Sequence, residues 1–302
     1  MATSVFQPGI PPAVERPLPT GPMGPIRRPL PVGSIGPIGP GSAAILPNLQ
    51  PRRAIAPNAT LVARIDLTPS VAQFRIRPDA RVPPFKPGQY FALGLEVDGK
   101  FLQRPYSTAS AAGATGATDE LEFLVRRVSS GTFTPFLWKA APGDRIWIGP
   151  PKGLFTLRAG DERTHLFVSS GTGLAPFISM ADALLRARSG PLAVVVHGAS
   201  YVSELAYRDR LESWAAGGGL VYVPTISRPF DPANERWSGE TGRTEAILAS
   251  VCGTLGLNPL DSVAYLCGNP EMTDSAAAVL AGLGFPTAAI VRELYWTARE
   301  AG

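Results

Sequence analysis

The sequence predicts two domains of unlike architecture: an antiparallel β-barrel over residues 55–158 and a doubly wound parallel-sheet α/β domain over residues 159–302. Residues 1–54 precede them as a tail without a fold of its own. Three observations predict this. Short β-type segments separated by turn signals follow one another from Asn58, strand and helix candidates alternate after about Arg158, and Pro and Gly crowd the N-terminus. A chain of 302 residues, 45% hydrophobic and 17% charged, is long enough for two cores and suits a soluble globular enzyme.

The tail reads Gly21-Pro22-Met23-Gly24-Pro25 and Gly36-Pro37-Ile38-Gly39-Pro40, but Gly does not recur at every third position, which excludes a collagen repeat. With few backbone donors and no hydrophobic period it is expected to be extended or disordered. In the barrel the strand candidates are Leu61–Leu67, Ala72–Ile76, Tyr90–Val97, Leu121–Val128 and Arg145–Ile148. Turns at Lys86-Pro87-Gly88, Asp98-Gly99, 111–118 and Ala141-Pro142-Gly143-Asp144 separate them, with one brief helix at Thr132–Lys139. The second domain alternates strands at His165–Ser169, Leu192–His197, Leu220–Thr225, Val263–Cys267 and Ala288–Val291 with helices at Leu174–Arg188, Ser203–Ala215, Thr244–Val251 and Pro270–Leu280. Such alternation implies parallel βαβ units.

Charge is uneven. Residues 1–158 carry +9 (18 Lys+Arg against 9 Asp+Glu) and residues 159–302 carry −5 (10 against 15). The positive side chains are scattered through strand-like segments such as Phe74-Arg75-Ile76-Arg77 and Val125-Arg126-Arg127, not gathered in a groove with aromatics, which argues against nucleic acid. A basic N-terminal half suits either an acidic protein partner or an ordinary solvated surface. No apolar run is long enough to span a membrane. Neither Arg27-Arg28 nor Arg52-Arg53 is followed by an apolar segment with a small-residue cleavage site, so the chain is expected to be cytoplasmic. Its two cysteines, Cys252 and Cys267, make neither a disulfide framework nor, alone, an iron–sulfur site, and no metal is expected.

Four motifs carry chemistry. In Arg104-Pro105-Tyr106-Ser107-Thr108, Tyr106 can floor a flat redox ring, Ser107 can stand near a ring nitrogen, and Arg104 can meet a diphosphate. An exposed Arg and a strand Tyr-Ser pair would leave the same trace. Gly131-Thr132-Phe133-Thr134-Pro135 opens a helix, where backbone amides and the Thr134 hydroxyl form a phosphate seat or an ordinary cap. Val168-Ser169-Ser170-Gly171-Thr172-Gly173-Leu174-Ala175-Pro176 lies where strand hands over to helix, the usual place for a dinucleotide diphosphate, although Pro176 stands at the last glycine of the six-residue fingerprint. Tyr265-Leu266-Cys267-Gly268-Asn269-Pro270-Glu271-Met272 ends another strand. There Cys267 would either lie in the crevice against a nicotinamide ring or be simply buried.

These motifs, in this order and spacing, resemble the ferredoxin–NADP reductase family of bacterial type from about residue 58 to Trp296, and Glu293-Leu294-Tyr295-Trp296 resembles its C-terminal ending. The resemblance implies an FAD-binding barrel followed by a nucleotide-binding α/β domain. It implies FAD on Arg104, Pro105, Tyr106, Ser107 and Thr108, with its diphosphate on Gly131, Thr132 and Thr134. Gly171, Thr172 and Gly173 would take the nicotinamide dinucleotide's diphosphate, with Gly268, Asn269, Met272 and Trp296 completing the cofactor contacts. Ser107, Cys267 and Glu293 would line the hydride-transfer site, and Tyr295 would stack on the flavin where nicotinamide must enter. Ser227, Arg228 and Arg243 match positions that grip the 2′-phosphate of NADP(H). Val196-His197-Gly198-Ala199-Ser200 has Ser where related bacterial reductases carry another Arg, so NAD(H) is the alternative. The implied partner is an acidic carrier, ferredoxin or flavodoxin, docking on the basic flavin domain. Two other readings are an NADH-using reductase subunit of an oxygenase and a non-catalytic scaffold acting through its Pro-rich tail.

Overall fold

In β2 (Val71–Pro78) Ala72, Phe74 and Ile76 turn inward while Arg75 and Arg77 face solvent, the alternation of a strand with one wet face. The computed structural model describes residues 55–112, 119–187 and 190–294, and the predicted tail lies outside them. β1 (Ala59–Thr68), β2, β3 (Tyr90–Val97), β4 (Lys100–Ser107), β5 (Leu121–Arg126) and β6 (Arg145–Ile148) form an antiparallel sheet in the order β4-β3-β6-β1-β2-β5. An isolated antiparallel bridge from Thr108 to Phe123 joins the two edges and closes the barrel. Phe74, Phe91, Phe123, Leu61, Ile76 and Leu93 fill it. The single-turn helix α1 (Thr134–Leu137) adds Phe133 and Leu137 to that core.

The second sheet is parallel, in the order β10-β9-β8-β7-β11-β12. Its strands are β7 (Thr164–Ser170), β8 (Ala193–Ala199), β9 (Leu220–Ile226), β10 (Glu240–Thr241), β11 (Ser262–Gly268) and β12 (Ile290–Leu294). Phe167, Val195 and Tyr265 pack with α2 (Ala175–Arg186) and α3 (Arg208–Ala216) on one face, and with the barrel's Val71, Ala109 and Leu124. Leu166, Val168, Val194 and Leu266 pack with α4 (Thr244–Leu255) and α5 (Pro270–Gly282) on the other. From β7 the chain moves outward through β8, β9 and β10, then returns to β11 on the other side of β7. The sheet's topological switch point is therefore the crevice between β7 and β11, where open α/β sheets bind ligands.

Several element bounds differ from the sequence expectation for identifiable reasons. β4 was not among the strand candidates, because its Lys100, Gln103 and Arg104 break the alternation and Pro105 suits only a strand with a free edge. The first helical stretch contracts to Thr134–Leu137. Gly171–Leu174 winds as a 3-10 turn, so α2 starts only at Ala175. α3 starts at Arg208, not Ser203, because Tyr207 sits at φ 58°, in the left-handed region that interrupts a helix.

Candidate active site at the domain junction

On the barrel, the β3–β4 register sets Arg104 opposite Leu93, Tyr106 opposite Phe91 and Ser107 opposite Tyr90. Arg104 is exposed and donates from Nη2 to the Thr132 hydroxyl at 3.0 Å. Gly131 closes the turn beneath them, donating its N–H to the Val128 carbonyl at 2.9 Å. A guanidinium, a hydroxyl and a tight turn thus meet at one open place, a donor set that fits a diphosphate. Tyr106 is half-buried with its ring 6.1 Å from that of Phe133, and burial pushes its phenol well above the usual range, so it stays neutral.

Two residues expected at this cradle engage their hydroxyls with backbone. The Thr134 hydroxyl accepts from the Val128 N–H at 2.8 Å and donates to the Val128 carbonyl at 3.2 Å, pinning the segment after β5 to the start of α1. Thr108 is fully buried and donates to the Glu122 carbonyl at 3.1 Å, at the bridge that closes the barrel.

On the α/β side, the β11–β12 register pairs Cys267 with Glu293 at the C-terminal ends of the strands. One carboxylate oxygen of Glu293 accepts from the Ser107 hydroxyl at 3.2 Å and from the Cys267 thiol at 3.6 Å. Three residues far apart in the chain, from both domains, thereby converge on one atom. Burial pushes the Glu293 carboxyl up to about 7, against the smaller opposing effects of the Ser107 and Cys267 hydrogen bonds. It can therefore hold or release a proton near neutral pH.

The switch-point turns close over each other. A Cβ on Gly173 would lie 2.3 Å from the Cys267 carbonyl oxygen, so only glycine lets the first turn rest on β11. Gly171 has φ 52°, and a Cβ there would lie 3.5 Å from Nη2 of Arg126. Arg126, on β5 of the barrel, reaches the dinucleotide turn of the other domain. Its Nη1 pairs at 3.0 Å with buried Glu204, whose other oxygen accepts from the Ser200 N–H at 3.3 Å. Sequence reasoning missed it, because Arg126 and Gly171 meet only in space and nothing local marks the first. Gly268 (φ 154°) continues the second turn. Asn269 caps α5, accepting from the Met272 N–H at 2.7 Å, and Met272 is buried in the core beneath. Met272 thus supports the turn from within the core.

The β9–β10 pairing of Ile226 with Thr241 puts Ser227-Arg228 and Gly242-Arg243 at the same end of adjacent strands. Arg228 is exposed, stacks on Tyr201 and donates to its hydroxyl at 2.5 Å. Arg243 is paired with Glu245 at 2.6 Å and Glu271 at 3.3 Å, so much of its charge is answered already. Tyr295 and Trp296 lie outside the described residues. Among the described residues no cluster of His, Cys, Asp or Glu is arranged to hold a metal, and no helix is long and apolar enough to cross a membrane.

Residues 58–157 match the oxidoreductase FAD-binding domain and residues 167–278 the oxidoreductase NAD-binding domain, which defines a two-domain flavin- and nicotinamide-binding oxidoreductase. The chain is 32% identical over 244 residues to ferredoxin–NADP reductase B of Sorangium cellulosum, covering 78% of this chain and 96% of that one. It is 28% identical to the phenol hydroxylase P5 protein of Acinetobacter pittii, over 74% of this chain and 60% of that one. Its fold superposes with a TM-score of 0.69 on a Neisseria gonorrhoeae ferredoxin NADP+ reductase with bound FAD and NADP, at 25% identity and covering 79% of this chain and 98% of that one. The chain belongs to the ferredoxin–NADP reductase family.

Proposed function

We propose that this enzyme passes electrons between NADPH and a one-electron carrier protein, ferredoxin or flavodoxin, in the cytoplasm. The observation that carries the proposal is the meeting of Ser107, Cys267 and Glu293 at the junction of the two domains. FAD held there would supply the exchange between hydride and single electrons, which is chemistry no side chain supplies. The protein's own part is holding and aiming. Arg104, Thr132 and the Gly131 turn hold a diphosphate, while Tyr106 floors the ring. Ser107 ties the flavin side to Glu293, whose carboxyl keeps a proton within reach of the reacting face. Gly171–Gly173 and Arg126 hold the dinucleotide's diphosphate from both domains, which positions the nicotinamide half over the same face. Arg228, stacked on Tyr201 and without an ion-pair partner among the described residues, supports recognition of the 2′-phosphate more strongly than Arg243, which faces two carboxylates.

Anaerobic titration of the purified holoprotein with NADPH and NADH, followed by flavin absorbance, tests this reading. Rapid bleaching by NADPH at concentrations where NADH is slow is expected. Equal bleaching by NADH favours the second reading, a reductase component serving a multi-subunit oxygenase. That reading draws on Ser200, on the pairing of Arg243 with two carboxylates, and on the likeness to the phenol hydroxylase protein. A protein that binds no flavin would sink both.

A further inference from the structure

We propose that Leu154, with Lys152 and Lys86 beside it, is the contact patch on which an acidic one-electron carrier protein docks; this rests on the carrier-reductase reading above. Leu154 is 97% exposed, although the loop that bears it is firmly held. Lys152 exchanges backbone hydrogen bonds with Tyr90 at 2.9 Å in both directions, and the Thr156 N–H donates to the Leu154 carbonyl at 2.9 Å. The next residue, Phe155, is buried against Phe177 and Tyr265 and anchors the loop. Gly153 sits at φ 108° with the Tyr90 ring against it; a Cβ there would come within 3.0 Å of that ring. A leucine held out in water on a fixed backbone is a preorganised apolar contact.

Charge selects the partner. The Gln89 side chain joins two segments, accepting from the Lys86 N–H at 2.8 Å and donating to the Gly153 carbonyl at 3.3 Å. This brings Lys86 beside the loop. Residues 80–95 and 145–160 contain no Asp or Glu, and among the described residues neither Lys86 nor Lys152 has an ion-pair partner. An apolar centre rimmed by exposed ammonium groups matches an acidic face and steers it in from solution. By contrast, exposed Leu260 stands next to Asp261 and would repel such a partner.

Position supplies the second argument. Tyr90 is opposite both Lys152 and Ser107, so the three lie in one row across neighbouring strands. At about 4.8 Å per strand, Lys152 lies about 10 Å from the residue beside the proposed flavin ring. A carrier seated on Leu154 is thus within short reach of the redox site. Each docking passes one electron, so one NADPH, oxidised to NADP+ with release of a proton, reduces two carrier molecules.

The test uses the full-length holoprotein, NADPH, an acidic [2Fe–2S] ferredoxin and an acidic FMN flavodoxin across a range of salt concentrations. Leu154→Asp and Lys152→Glu should each lower kcat/KM for the carrier at least tenfold, and Lys152→Glu should flatten its salt dependence. Flavin bleaching by NADPH should be unchanged in both, and Leu260→Asp should match the unaltered protein throughout. The patch is refuted if carrier kcat/KM is unmoved in Leu154→Asp and Lys152→Glu, if Leu260→Asp loses as much, or if the unaltered protein is bleached by NADPH yet reduces neither carrier. Failure of bleaching by either nicotinamide would instead overturn the reading on which the patch rests.

Discussion

Glu293→Gln isolates the one carboxyl whose environment the two domains build together. The substitution keeps shape and hydrogen-bonding reach but removes the titration. In the folded enzyme the carboxyl is pushed up to about 7 from an ordinary value of 4.5, with burial as the main cause. Between those two values the folded chain binds a proton that the unfolded chain has released, so stability must fall as pH rises across the interval. The shift corresponds to about 3 kcal/mol at most, and to less where solvent screens the group. This contribution is fully present below pH 4.5, is lost as pH rises through 7, and changes no further well above it. The assay is urea unfolding of both proteins at fixed excess FAD, at unit intervals from pH 4.5 to 8.5. His165 and His197, both depressed by burial, titrate alike in the two proteins and cancel in the difference. The unaltered enzyme should lose between about 1 and 3 kcal/mol relative to Glu293→Gln over that range. The rate of flavin reduction by NADPH should show an inflection near 7 that the variant lacks. Parallel unfolding curves and identical rate profiles would refute the buried, shared carboxyl as the titrating group.

Arg126→Ala should weaken NADPH and NADH alike, by about tenfold, because the diphosphate is common to both. Direct binding titrations check this, and a selective loss of NADPH alone would assign Arg126 elsewhere. Removing it also leaves Glu204 buried without its cation, so unfolding stability should drop by about 1–3 kcal/mol. Arg228→Ala should cost about tenfold in affinity for 2′,5′-ADP, whereas Arg243→Ala, already answered by Glu245 and Glu271, should cost less; the reverse order in calorimetry would contradict the pairing. Gly173→Ala forces a methyl group into the Cys267 carbonyl and should destabilise by about 2 kcal/mol or more, measured as a lower urea midpoint. A variant as stable as the parent would mean that the turn does not rest on β11.

Much of the fold can be read along the chain because its signals are local. The turn at Asp98-Gly99 ends β3, the buried runs of β7 and β11 mark a parallel sheet, and Gly171-Thr172-Gly173 and Gly268-Asn269 punctuate the strand ends. Less legible was β4, whose pairing is sustained by β3 and not by any pattern of its own. Thr134 illustrates the same difficulty at the site: its type fits a phosphate contact, but the nearness of Val128 engages its hydroxyl with backbone.

Local chemistry in the sequence, then, determined the two architectures, most of their strands and turns, and the residue types set near those strand ends. Tertiary structure alone decided which of these meet. Ser107, Cys267 and Glu293 come to one oxygen because β12 lies beside β11 in register and the barrel packs on the sheet's α2–α3 face. Arg126 comes to Gly171 for the same reason. Hydrogen bonds and burial act over a few ångströms of space, so a raised carboxyl or a shared cation is a property of the packed pair of domains, and no stretch of chain contains it.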